Sequence, residues 1–124
     1  ILRLGTLENG GGQIWAKLES LNPGFSIKDR VGLALIRRAE ADGSLAPGGT
    51  VVEATAGNTG LALAMVGRRL GYRVVLVVPE QFSIENQRLM RAHRCDVFVT
   101  DSDYGINGSQ DRARDIAEST PGAV

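Results

Sequence analysis

GYRVVLVVPE, Gly71 to Glu80, holds an unbroken apolar run, Val74 to Val78, that stops at Pro79. A run of this length without alternation fits a strand buried on both faces, as strands of parallel sheets are. It is far too short to span a membrane. Upstream, Asn58 to Leu70 has a helical pattern closed by Gly71, and Thr50 to Ala54 reads as another strand. Downstream, Ser83 can cap a helix running to about His93, and Asp96 to Thr100 is a third strand. A last helix is expected at Ser109 to Ser119, with Pro121 beyond it. Strands that alternate with helices in this way predict an α/β fold, a three-layer parallel sheet with helices on both faces. Ligands of such sheets gather at the carboxyl ends of the strands.

The first part of the chain reads differently. Ile1 to Leu4 and Gln13 to Glu19 look like two short strands around a Gly-rich turn, Asn9 to Gly12. Asn22-Pro23-Gly24 then signals a turn before a helix, with Ser26 as N-cap and Asp29 in the manner of a shortened capping box. Ile27, Val31, Ala34, Leu35 and Ala39 recur at helical spacing and predict its buried stripe. Gly43 suits the left-handed position that ends a helix.

The 124 residues suffice for one domain with a modest core, and 43% hydrophobic with 23% charged residues is a globular composition. Lys plus Arg balances Asp plus Glu at 14 each, which supports neither a nucleic-acid nor an anionic membrane partner. One Cys and one His build neither a zinc site nor a disulfide framework. A disulfide-poor chain with no visible signal peptide is expected in the cytoplasm. The opening at Ile1, without Met, hints at a fragment or a processed product.

Two segments carry chemistry. NPGFSIKDR, Asn22 to Arg30, places Lys28 at a helix N-terminus. The positive end of the helix dipole disfavours an ammonium and relatively favours a free amine or an imine. On position alone an exposed surface lysine is the simpler reading. EATAGNTG, Glu53 to Gly60, makes a Gly-rich strand-to-helix turn whose backbone N–H groups point at an anion, with Thr55, Asn58 and Thr59 adding side-chain donors. An ordinary capped loop would read the same way. Neither segment is a GxGxxG or a P-loop.

Together the two segments resemble the fold-type II pyridoxal-phosphate (PLP) enzymes of the cysteine synthase and cystathionine β-synthase group. The resemblance continues through GYRVVLVVPEQFSIENQRLMRA, Gly71 to Ala92, and GINGSQDRARDIAES, Gly105 to Ser119. It implies that Lys28 holds PLP as a Schiff base and that Asn58 hydrogen-bonds the cofactor's phenolic oxygen. It implies that the loop of Thr55, Ala56, Gly57, Asn58 and Thr59 grips the substrate α-carboxylate. The implied reaction is β-replacement on a serine-type amino acid by a thiol or sulfide, toward cysteine or a related amino acid. The implied assembly is a homodimer. Residues 1–20 are expected to pack on a missing second domain, and residues 21–124 to form the α/β domain with the lysine and the loop.

The chain departs from the resemblance in places. Ala56 stands where Ser is frequent, and Ile106 where Met is frequent. His93-Arg94-Cys95 replaces a Gly-containing turn, so Arg94 must end a helix at some strain or by another turn type. His93 and Cys95 read as a structural turn and a buried small Cys. The second Gly-rich loop that holds the PLP phosphate has no counterpart, so the 124 residues alone are expected to turn over little. The alternatives are PLP-dependent β-elimination or deamination, a non-catalytic truncated homologue acting as a binding module, and a plain nucleotide-binding domain.

Overall fold

The computed structural model describes residues 1–5 and 12–124. Most of the expected Asn9 to Gly12 turn lies outside the described residues. Two short antiparallel strands, β1 (Leu2–Arg3) and β2 (Trp15–Ala16), pair Leu2 with Ala16 and Arg3 with Trp15. The second strand is shorter than its pattern predicts. Glu19–Leu21 turns into a 3-10 segment because the Glu19 carboxylate is drawn back to Asn22 and Arg30.

The main body has helix α1 (Lys28–Ala41), strand β3 (Thr50–Ala54), helix α2 (Asn58–Arg69), strand β4 (Arg73–Pro79), helix α3 (Ile84–Ala92), strand β5 (Asp96–Thr100) and helix α4 (Gly105–Ser119). The three strands form a parallel sheet in the order β3-β4-β5. Residues 123–124 lie along the free edge of β3, where the Val124 N–H donates to the Thr50 carbonyl at 3.0 Å.

β4 is the centre, as its sequence predicts. Val74 to Pro79 are all buried. Val74, Leu76 and Val78 form one cluster with Ala64 of α2, Met90 of α3 and Cys95. Val75 and Val77 point to the opposite face, where α4 packs across β3 and β4. Each such side chain contributes about 1.5–3 kcal/mol on burial. A second cluster, Ile36, Leu45, Val51, Leu63 and Tyr72, joins α1, α2 and β3.

Two expectations are corrected. The α1 stripe is not the buried face: Ile27, Val31, Ala34 and Leu35 are exposed, and Gly32 and Ile36 are buried instead. The reason is that α1 packs on α2 through a glycine. A Cβ on Gly32 would stand 3.0 Å from the Ala62 carbonyl carbon and Cβ, so the two backbones approach closely there. Helix α4 begins at Gly105 rather than Ser109. The Asp101 carboxylate accepts from the Asp103 N–H at 2.9 Å, and Gly105 turns the chain at φ +53°. Ser109 is fully buried inside α4 and hydrogen-bonds Thr100 at 2.5 Å.

Candidate active site

Lys28 is the first residue of α1, half-buried, and its ammonium has no acidic partner among the described residues. The turn that delivers it is closed by its own motif. The Phe25 N–H donates to the Asn22 carbonyl at 2.8 Å, and Asn22 Nδ2 donates to the Ser26 carbonyl at 3.0 Å. Ser26 is buried, and its hydroxyl accepts from the Lys28 N–H at 2.9 Å, which is the contact of an N-cap although the regular helix starts two residues later. Asp29 does not reach back to Ser26 as a capping box would. Its Oδ2 accepts from the Gly24 N–H at 2.6 Å. Arg30 Nε donates to both Glu19 carboxylate oxygens, at 3.2 and 3.0 Å, and so ties α1 to the segment before it. That guanidinium, with the Asn22 amide, holds the Glu19 carboxyl below the usual carboxylate range.

The Glu53 to Gly60 segment sits where β3 passes into α2. Thr55 is 4% exposed, and its Oγ1 accepts from the Gly57 N–H at 3.3 Å and the Gly60 N–H at 3.0 Å. Thr55 therefore shapes the loop from inside instead of facing out. Gly60 leaves room for it, since a Cβ there would fall 2.2 Å from Thr55 Cγ2. Asn58 and Thr59 open α2, and their amide N–H groups meet no acceptor among the described residues. Asn58 is exposed; Ala56, Gly57 and Thr59 are half-buried. Glu53, on β3, has its carboxyl raised by burial.

Topology brings the two segments to one end of the sheet. Helices α1 and α2 flank β3 in sequence and both run against it, so they run parallel to one another. Lys28 and Asn58 each stand one helical turn before the Gly32–Ala62 contact. Both helix N-termini therefore open at the carboxyl end of β3, with open N–H donors on α2 and an unpaired amine on α1. These features fit an anionic, amine-reactive cofactor and a carboxylate-bearing substrate. The sequence reading gave Gly24 to the turn and Asp29 to a capping box on Ser26, and missed both their contact with one another and the part played by Glu19.

The His93-Arg94-Cys95 turn lies elsewhere. Arg94 has φ +61°, so of the two helix ends its sequence leaves open it takes the strained one. Cys95 is buried in the β4 cluster, and desolvation pushes its thiol up to about 11. Among the described residues no group of three or more His, Cys, Asp or Glu is placed to hold a metal ion. No described helix is long and apolar enough to cross a membrane.

The model of the pyridoxal-phosphate dependent enzyme family matches residues 1–124. A cysteine synthase from a Flavobacterium species is 43% identical over 121 residues, covering 98% of this chain and 39% of that protein. The crystal structure of O-ureido-L-serine synthase superposes with a TM-score of 0.86 at 40% identity, over 94% of this chain and 37% of that one. An O-acetylserine dependent cystathionine β-synthase from Helicobacter pylori gives a TM-score of 0.83 at 44% identity, over 90% of this chain and 36% of that one. The chain thus spans well under half the length of the relatives it matches. With both motifs at the same end of a fold shared at this identity, the chain belongs to the pyridoxal-phosphate dependent enzyme family.

Proposed function

We propose that this chain is the lysine-bearing part of an enzyme that uses PLP for β-replacement on a serine-type amino acid, with a thiol or sulfide as nucleophile. The observation that carries this reading is the pairing of Lys28 and the Asn58-Thr59 donors at the heads of two parallel helices. When bound, PLP supplies an aldehyde that takes up an amine and a ring that withdraws electrons from the substrate α-carbon. Lys28 would hold the cofactor, and its amine, once the substrate's amine has displaced it, stands at the head of α1 to take the α-proton. Asn58 orients the cofactor through its side-chain amide. The backbone N–H groups of Asn58 and Thr59 bind the substrate carboxylate, and Ala56 and Gly57 leave it room. Thr55 keeps those donors in place through its bonds to Gly57 and Gly60.

Relatives named as cysteine synthase, O-acetylserine dependent cystathionine β-synthase and O-ureido-L-serine synthase support replacement at the β-carbon. The test is borohydride reduction of the full-length protein with PLP, followed by peptide mass mapping. Lys17 and Lys28 are the two lysines of this sequence, and Lys17 stands 3.5 Å from Glu19. A pyridoxyl adduct at Lys28 and not at Lys17, lost in Lys28→Ala with the circular dichroism unchanged, is expected. Equal labelling of both lysines, or none, would overturn the reading. Pyruvate and ammonia in place of a thioether or thiol amino acid would move the reaction to β-elimination.

A further inference from the structure

We infer that Asp29 is a positioning residue for Lys28, acting through the Asn22 to Ser26 turn. The inference rests on the reading of Lys28 as the cofactor lysine. Phe25 adopts φ +59° although it is an aromatic residue, and the residue is 78% exposed, so little packing compensates the left-handed backbone. Such a conformation is unfavourable for a residue with a Cβ and persists only when its surroundings hold it. Two side chains flank it. Asn22 Nδ2 holds the Ser26 carbonyl after it, and Asp29 Oδ2 holds the Gly24 N–H before it at 2.6 Å.

The Asp29 contact leaves no slack. A Cβ on Gly24 would stand 2.2 Å from Asp29 Oδ1 and 3.0 Å from Cγ. Oδ1 itself is buried with no hydrogen-bond donor among the described residues. A half-satisfied buried carboxylate is unfavourable in itself, so its presence points to the geometry it enforces. Lys28 is not its partner, because adjacent helical residues do not face one another. What Asp29 controls is the path of the backbone that enters α1, and with it the place from which the Lys28 side chain starts.

The test measures the ratio of pyridoxyl adduct at Lys28 to that at Lys17 after borohydride reduction, in full-length protein whose folding is checked by circular dichroism. In Asp29→Ala the ratio is expected to fall about tenfold or more, as a misplaced reacting group would. Asp29→Asn keeps an acceptor oxygen for Gly24 and is expected to restore the ratio. Gly24→Ala displaces the carboxylate from the other side and is expected to lower the ratio too. Should Asp29→Ala not fold, Gly24→Ala decides. A purely structural role would lower the melting temperature of the folded variants and leave the ratio unchanged, and that result overturns the inference. A wild-type protein without Lys28 selectivity would instead overturn the cofactor reading, so the two failures are separable.

Discussion

At the scale of single residues, the loop before α2 depends on a steric fit between Thr55 and Gly60. The Thr55 hydroxyl needs the Gly60 N–H at 3.0 Å, and that approach leaves no space for a Cβ. Gly60→Ala would bring its methyl against Thr55 Cγ2, with Met90 Cε at 3.0 Å on the other side. The expected loss is about 1–3 kcal/mol, read from the urea midpoint. Thr55→Ser keeps the hydroxyl and removes Cγ2, so adding it to Gly60→Ala should restore part of that loss. Simple additivity of the two substitutions would show that the two residues do not meet in this way. The positions of Lys28 and the Asn58-Thr59 pair at helix starts were legible from the sequence, because they lie in compact motifs beside turn residues. Thr55 was placed in the right loop but read as an outward donor, and only its burial reveals the inward role. The Glu19–Arg30 and Gly24–Asp29 contacts were not legible, since they cross an irregular turn that has no fixed spacing rule.

At the scale of elements, α2 and α3 end in the same hydrogen-bonded motif with different residues at its left-handed position. In α2 the Tyr72 N–H reaches the Gly67 carbonyl at 2.9 Å, and Gly71 takes φ +90°. In α3 the Cys95 N–H reaches the Met90 carbonyl at 3.3 Å, and Arg94 takes φ +61°. The buried Cys95 packs back on Met90, which is the apolar contact that accompanies this helix end. Arg94→Gly should therefore stabilise the protein. It removes a left-handed cost of about 1–2 kcal/mol and adds about 0.5–1 kcal/mol of chain entropy, for a net gain of up to about 1.5 kcal/mol. A differential scanning measurement should show a melting temperature a few degrees higher, and an unchanged or lower value would mean that the Arg94 side chain makes a compensating contact. Helix ends of this kind were legible because glycines and capping hydroxyls mark them. The buried face of α1 was not, because hydrophobic spacing gives Gly32 no weight although it forms the contact with α2. The start of α4 was missed for a related reason: Asp101 and Gly105 make the turn, and Ser109 resembles a cap while it serves as a buried tether.

At the scale of the whole molecule, the two apolar clusters each carry a weak acid whose ionisation the fold opposes. Burial pushes the Cys95 thiol up to about 11 from an ordinary 9.0, with Arg68 opposing the rise and Asp96 adding to it. In the other cluster the Tyr72 hydroxyl donates to Glu40 at 2.7 Å, and that bond, followed by burial, raises its pKa above 10.0. Both groups bind their protons more tightly when folded than when unfolded. The thiol's contribution to stability is therefore fully present below about pH 9, its ordinary value, and is lost as pH rises through its folded value of about 11. That of Tyr72 is fully present below its ordinary 10.0 and is lost at higher pH. Urea midpoints should stay level from about pH 8 to near pH 9 and then fall toward about pH 10.5 for the wild type. Cys95→Ala should remove the part of the slope that begins near pH 9, and Tyr72→Phe the part at higher pH, while the thiol of the folded protein should stay unreactive toward a disulfide reagent at pH about 8. A midpoint that stays level across this range would show that both groups reach solvent freely. That would contradict the packing of β4 against α2 and α3 on which the placement of the Asn58-Thr59 donors depends.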